Sequence, residues 1–353
     1  MDYSIIDLDN TKSSDEILNK YFDFYDKIYK EYFPKDPITP HDIQIRNFRD
    51  YNVPGEVTIR KVVQLEESKE FIARLFFSTV NKDSKEYEKT KHIANVEVNV
   101  LKEFAESDLA NMLFKLAIDL TKENDILTII EGCSVLEREW ELWRKFGGEK
   151  TAEGEVNRLY LDEVDWDLMK EWKSAGQEIA EKEGISLQFF QECPEEIIEE
   201  YTALFTEIMN LVPFENLEWS PSDETPKTRR EHEERLKKVE YKWYTLITKE
   251  KDGTISGLTE IQQSKNRSHR INQELTGVKP EYRGRGLGKW LKAEMLFFIK
   301  EKFPEAIFIH TGNAEVNAPM LSINKRMGFK KHLIERCYTI KLEELKEKGN
   351  LKY

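Results

Sequence analysis

The chain has 353 residues, of which 39% are hydrophobic, 11% aromatic and 34% charged. That length exceeds what one hydrophobic core usually holds, so two domains are expected, and the apolar content excludes a disordered chain. A formal charge of −13 excludes a broad electrostatic grip on nucleic acid or an anionic membrane and confines any anion site to a local basic patch.

The three cysteines, Cys133, Cys193 and Cys337, are far apart and form no CxxC or Cys/His cluster. Neither a metal site nor a disulfide framework is expected, only three thiols in a reducing compartment. The opening Met1-Asp2-Tyr3-Ser4 is no basic-then-apolar signal, and no run approaches the roughly 18 apolar residues of a membrane span, which predicts a cytoplasmic protein.

In chain order, the first half predicts an amphipathic helix over Asp15–Tyr32, strands over Glu56–Val63, Glu70–Val80 and Ala94–Leu101, a helix over Ser107–Thr121, a short buried strand over Ile126–Ile130 and a helix over Val135–Phe146 stopped by Gly147-Gly148. A domain boundary is expected near Asp165, giving domains 1–165 and 166–353. The second half predicts helices over Pro194–Leu211 and Lys227–Glu240, strands over Tyr241–Thr248, Gly257–Gln262 and Asn272–Val278, a helix over Gly288–Phe303, a strand over Ala306–His310 and a helix over Ala318–Met327 stopped by Gly328.

The order of elements repeats. Val100 and Val278, each ending a predicted strand, lie 178 residues apart, and the stop glycines Gly147 and Gly328 lie 181 apart. Such near-constant spacing points to a duplicated domain. The copies differ in one place: Arg283-Gly284-Arg285-Gly286-Leu287-Gly288 follows the strand in the second half, while Lys102–Ala110 in the first contains no glycine.

That glycine-rich turn is followed by Leu287, Leu291, Met295 and Phe298 on one helical face, so it is pinned at a helix N-terminus. Unpaired backbone N–H groups and the positive end of the helix dipole make an anion site there, and glycines let a diphosphate approach. Arg283 and Arg285 add positive charge. The spacing is G-x-G-x-G, unlike the G-x-G-x-x-G of a dinucleotide fold, and Gly288-Lys289 continues into Trp290 rather than the Ser or Thr of a P-loop.

The segment resembles the GNAT superfamily of N-acetyltransferases. Arg283, Gly286 and Gly288 fill its Arg/Gln-x-x-Gly-x-Gly/Ala signature, approached through Val278, Pro280, Arg283 and Gly284, and Asn313–Phe329 looks like its last helix, ending in Gly328-Phe329. Two such motifs in this order, with the duplication, resemble the tandem-domain GNAT group that includes the mycothiol synthases. The resemblance implies an α/β fold of two tandem domains, each a mostly antiparallel mixed sheet flanked by helices, with a working C-terminal copy and a degenerate N-terminal one.

It further implies that acetyl-CoA is the co-substrate, with its pyrophosphate on Arg283, Gly284, Arg285, Gly286, Leu287, Gly288 and Lys289 and its pantetheine arm along Thr276, Gly277 and Val278. Asn313 and Asn317 would face the pantetheine and thiol end; Asn317, before Ala318-Pro319, reads equally well as a helix N-cap. The chemistry implied is direct attack of a neutral amine on the thioester, with a carboxylate base and a backbone N–H at or near Val278 for the oxyanion. By the two-residue period Asn272, Glu274 and Thr276 share one face, which makes Glu274 the first candidate base and Glu260 the second. Either can also be a plain surface carboxylate. Asn324 stands where many members place a tyrosine acid, leaving Tyr338 and Tyr282 as substitutes, with water as another. His269 and His310 read as structural. Pro213-Phe214-Glu215-Asn216, within Met209–Trp219, would line an acceptor pocket, and Asp223 and Glu224 could attract a cationic amine, small molecule or peptide. A non-catalytic acetyl-CoA sensor and transfer of a longer acyl group are the other readings. No metal, nucleic-acid or membrane partner is expected, and a monomer or homodimer is.

Overall fold

The computed structural model of the chain describes residues 2–51, 53–211, 223–314 and 318–347. In order, the elements are β1 (Tyr3–Asp7), α1 (Asp15–Tyr32), α2 (His41–Asp50), β2 (Glu56–Leu65), β3 (Phe71–Val80), α3 (Tyr87–Thr90), β4 (Ile93–Val100), α4 (Leu109–Thr121), β5 (Ile129–Ser134), α5 (Glu137–Lys145) and β6 (Glu149–Tyr160). Then come α6 (Trp166–Glu183), β7 (Ser186–Phe190), α7 (Ile198–Asn210), α8 (Pro226–Lys238), β8 (Tyr241–Lys249), β9 (Ile255–Ser264), β10 (Arg270–Val278), α9 (Leu287–Lys302), β11 (Phe308–Ala314), α10 (Ala318–Met327), β12 (Lys330–Lys341) and α11 (Leu342–Glu347).

The chain forms two compact units, one of Met1–Glu153 with Ile334–Tyr353, the other of Gly154–Leu333. This departs from the division expected at Asp165: the boundary falls inside β6, and most of β12 returns to the first unit. The reason is a strand pairing that no local pattern encodes, since β12 pairs antiparallel with β5 from Arg336↔Ser134 to Lys341↔Ile129.

In the first unit the strands run β1-β2-β3-β4-β5-β12, antiparallel except for the parallel pair β4–β5. Ser14 caps α1 by accepting from the N–H of Ile17, and α1 then buries Leu18, Tyr21, Phe22, Phe24 and Ile28 against Val62, Phe71 and Leu75. The strand expected at Ile126–Ile130 lies at Ile129–Ser134, while β1 and α2 carried too little apolar pattern to be found.

Cys133 and Cys337 are direct cross-strand partners on β5 and β12 and form a disulfide, their Cα atoms 4.0 Å apart. The expectation of three thiols fails there because residues 204 apart in sequence meet only through this pairing. Cys193 is a buried free thiol.

In the second unit the order is β6-β11-β10-β9-β8-β7, again with one parallel pair, β10–β11. Helices α6 and α9 cover one face, where Met169, Trp172, Leu291, Met295 and Ile299 pack on Tyr244, Ile261 and Ile271. Helix α7 covers the other with Tyr201, Leu204 and Ile208 on Ile247, Ile255 and Leu258. Each unit is thus a mixed sheet flanked by helices. Among the described residues no helix is long and apolar enough to cross a membrane, and no group of His, Cys, Asp and Glu could hold a metal ion.

Candidate acyl-transfer site

The turn from Arg283 to Gly288 connects β10 to α9, and its shape depends on two glycines in the left-handed region, Gly284 at φ +81° and Gly286 at φ +83°. Gly286 caps the helix. From Gly284 to Gly288 no backbone N–H donates to a described residue, the first occupied ones beyond being those of Lys289 and Trp290, which bond to the carbonyl of Gly286. A Cβ added at Gly284 would meet nothing within 4 Å, and one at Gly286 only a methyl of Ile179 at 3.9 Å. These are open donors on an open surface at the start of a 16-residue helix, the arrangement that receives a phosphate.

Not every expected member takes part. The N–H of Arg283 bonds back to Pro280, and its side-chain Nε donates to the carbonyl of Val278 at 3.0 Å. Arg285, expected to supply positive charge, gives its Nη1 to Glu250 at 3.0 Å and pairs also with Glu183. Its charge is spent within the protein. Leu287 is buried against Ile185 and Trp290, and the ammonium of Lys289 lies 5.6 Å from the ring of Trp172.

Beside the turn, the sheet opens. The parallel pairing of β10 and β11 covers only Arg270–Asn272 against Phe308–His310, yet β10 continues to Val278 and β11 to Ala314. Thr311 Oγ1 still reaches the carbonyl of Gln273 at 3.2 Å; beyond it Thr276, Gly277 and Val278 are paired only on their β9 side, with Thr259, Leu258 and Gly257. The cleft between the strands therefore presents a free edge at the three positions expected to meet a pantetheine arm.

At the fork the register of β10 on β9 slips between Gln273 and Thr276. Glu274 and Leu275 together stand opposite Glu260, which is a β-bulge. The bulge corrects the expected common face of Asn272, Glu274 and Thr276: the side chains of Gln273 and Thr276 meet instead, 3.2 Å apart. Thr276 Oγ1 also lies 2.8 Å from Thr259 Oγ1. Glu274 is open to solvent. The protein packed behind it and the charge of Glu260 push its carboxyl up to about 7, against a smaller opposing pull from Arg270.

Glu260, the second candidate base, is sealed. It is 0% exposed, and its Oε1 accepts from Tyr201 OH, from Arg229 Nη1 at 3.0 Å and from Thr245 Oγ1 at 3.2 Å. Arg229, itself 0% exposed, lies 3.6 Å from the ring of Trp243 and donates its Nε to Glu233 at 3.0 Å. Burial pushes the Glu260 carboxyl above its ordinary range while the guanidinium pulls it back. A carboxylate so enclosed cannot meet a substrate amine, which removes it as the base. Sequence reasoning missed Tyr201, Arg229 and Thr245 altogether.

The tyrosines do not converge on this site. Tyr338 sits in the core of the first unit, 2% exposed, its ring stacked 6.3 Å from Trp143, so it is no acid for chemistry at Glu274. Tyr282 lies in the turn with the Arg285 guanidinium 5.8 Å from its ring. Asn313 belongs to β11, paired with Glu155, not to the start of a helix; Asn317 and the Pro213–Asn216 segment lie outside the described residues, as does the rest of 212–219. Asp223 is exposed, whereas Glu224 is buried with His232 Nδ1 3.3 Å from its Oε1. His269 packs edge-on to Phe308, in line with a structural role.

Comparison with known proteins places these features. Residues 209–329 match the model of the GNAT acetyltransferase family, a span that holds the turn, the cleft and Glu274. A tandem GNAT protein from the clavulanic acid biosynthesis pathway superposes with a TM-score of 0.72 at 17% identity, over 97% of this chain and 99% of its own. The fold is that of the GNAT acetyltransferases. A GCN5-related N-acetyltransferase of Sphaerobacter thermophilus gives 0.64 at 14% identity, over 96% of each chain. The glucosamine N-acetyltransferase region of a fungal multi-domain β-N-acetylglucosaminidase gives 0.63 at 15%, over 96% of this chain and 38% of that one. No curated protein matches the sequence. The tandem GNAT likeness spans nearly the whole chain, so the duplication read from the spacing of Val100 and Val278 holds as a repeat of fold.

Proposed function

We propose that the second unit binds acetyl-CoA and transfers its acetyl group to a primary amine of a small molecule or peptide, and that the first unit binds none. The observation that carries this is the alignment of the two open features: unoccupied N–H donors from Gly284 to Gly288 lie at the end of the same strand whose free edge runs from Thr276 to Val278. The turn would hold the pyrophosphate and the edge would extend the sheet to the pantetheine amides. Bound acetyl-CoA supplies an activated thioester carbonyl. Glu274, at the bulge where the edge begins, takes the proton from the incoming ammonium so that a neutral amine attacks.

The base works only when ionised, so turnover rises with pH through about 7, the value to which its surroundings push it. Among the described residues Tyr338 is buried in the first unit, which leaves Tyr282 of the turn or water to return a proton to the thiolate. Asn324, at the position expected for a tyrosine acid, favours a second reading, a module that binds acetyl-CoA and reports it without transfer. Calorimetric titration of the intact chain with acetyl-CoA tests the proposal before any acceptor is known. One site per chain is expected. Two sites would overturn the silent first unit, and none would sink the proposal.

A further inference from the structure

The bulge does more than expose Glu274. Cross-strand partners project to the same side of a sheet, and the slip from Gln273↔Ile261 to Thr276↔Thr259 leaves Glu260 as the one residue of β9 facing the two bulged positions. Glu260 pairs on its other side with Thr245 of β8. All three donors that reach it, Tyr201 of α7, Arg229 of α8 and Thr245, converge on the same oxygen, Oε1. Oε2 is buried and accepts from no described residue. Nothing so elaborate is required to plug a core: a leucine would fill the space with no buried charge to compensate.

The charges around the bulge are few. Facing Glu274 are Glu260 from β9 and Arg270 from its own strand; behind Glu260 stand Tyr201 on α7 and, on α8, Arg229 with its second carboxylate Glu233, which is also paired with Arg230. Arg229 is shared between two carboxylates, but Glu233 has a second cation in Arg230 at 2.7 Å, so Arg229 is left as the cation that holds the charge of Glu260. Among the described residues no donor reaches the Glu274 carboxyl, whereas Glu260 has three.

We propose that Glu260 is a positioning residue for Glu274: the two carboxyls stand opposite each other at the bulge as one coupled pair, in which Glu260 keeps the negative charge and Glu274 carries the exchangeable proton. In the acyl-transfer reading, on which only its catalytic consequence rests, the ammonium gives one proton to the Glu274 carboxylate, forming its O–H and freeing the nitrogen lone pair. The neighbouring anion makes that carboxylate a stronger base than a lone surface glutamate, which would be too weak near neutral pH. The device thus fits a base matched to an amine acceptor.

The test is carbon-13 NMR titration of the glutamate carboxyls in the full-length protein, assigned by Glu274→Gln and Glu260→Gln, with calorimetry against acetyl-CoA run on the same samples. In Glu260→Gln the Glu274 midpoint should fall by at least about one pH unit, because the repelling charge goes and Arg229 stays. Glu260, which ionises while Glu274 is still protonated, should titrate below Glu274 and show a second, smaller step in its resonance at the Glu274 midpoint. In Glu274→Gln, a change at a solvent-open position that leaves the buried set intact, that step should vanish with the lower midpoint little moved, a check that stands even if Glu260→Gln fails to fold. A Glu260 midpoint above that of Glu274, a Glu260 resonance with no step at the Glu274 midpoint, or a Glu274 midpoint unmoved in folded Glu260→Gln, overturns the pairing. A coupled pair without acetyl-CoA binding would leave the pairing standing and remove the acyl-transfer reading instead.

Discussion

The two parallel strand pairs of this protein begin alike and end differently. In the first unit β4 and β5 pair over Ile93–Asn95 and Ile129–Glu131, then part, as β10 and β11 do in the second. Into the first parting comes helix α5. Arg138 Nη2 donates to the carbonyl of Val100 at 3.1 Å, Glu139 accepts from Asn99 Nδ2 at 2.8 Å, and the Trp143 ring lies where a Cβ on Gly132 would be only 2.4 Å away. Shifted by the 181-residue repeat, these three positions read Pro319, Met320 and Asn324 in the second unit. A proline has no donor for a strand carbonyl, a methionine no charge for a strand amide, and an asparagine less than half the bulk of an indole. One copy fills its cleft with its own side chains; at the matching positions the other carries residues that cannot make the same contacts. The first unit also lacks, over Lys102–Ala110, the glycines that shape the turn of the second.

The sharpest way to break this comparison is at Gly286. An Asp there tolerates the left-handed backbone better than most residues and suits a helix N-cap, so the fold should survive. Its carboxylate would stand where the pyrophosphate is expected, and the affinity for acetyl-CoA should fall by more than about 1000-fold, on the order of 4 kcal/mol. Circular dichroism and calorimetry on the same sample check both halves of that statement. Retained binding would place the phosphate site elsewhere.

Trp143→Ala probes the other side. The ring is buried against Phe114, Phe146 and Tyr338, so its removal should cost about 3–5 kcal/mol in a denaturant titration. The count of acetyl-CoA sites should nonetheless stay at one, because Leu101–Phe104 closes as a short helical turn with no glycine to bare its N–H groups. A second site appearing in this variant would mean that the filled cleft alone keeps the cofactor out.

How much of this was legible in the sequence follows from range. The glycine turn, the strand before it and the helix after it are local, and Asp15–Tyr32 and Ala318–Met327 are bounded as the periodicity predicts. The bulge was not: two-residue alternation in Asn272–Thr276 carries no mark of an extra residue, and so it assigns Glu274 to a face that the register of β10 on β9 does not keep. Helix α8 hid its role for a different reason. Its Arg229 and Glu233 are buried four residues apart, but in a stretch that is almost wholly charged only the single Leu236 marks the inward face. Tyr338 and the Cys133–Cys337 pair depended on β12 returning to the first unit, which only long-range strand pairing decides.

The smallest effect expected belongs to Arg285, and it separates motif from mechanism. In the sequence this residue stands inside the signature turn and invites the role of phosphate ligand. In the structure its guanidinium is forked onto Glu250, Nη1 to Oε1 at 3.0 Å and Nη2 to Oε2 at 3.1 Å, and held also by Glu183. Arginine's planar fork suits this bidentate grip, which fixes the turn against β8 and α6 rather than facing outward. Arg285→Gln should therefore change the acetyl-CoA dissociation constant by less than about threefold and, because these pairs are partly exposed, lower stability by only about 0–1 kcal/mol. Calorimetry at two salt concentrations decides the point: a loss above tenfold, with a shallower salt dependence, would show the guanidinium leaving its carboxylates for the phosphate. The charge of the site would then be supplied by this side chain, and the open backbone donors of Gly284 to Gly288 would only shape its approach.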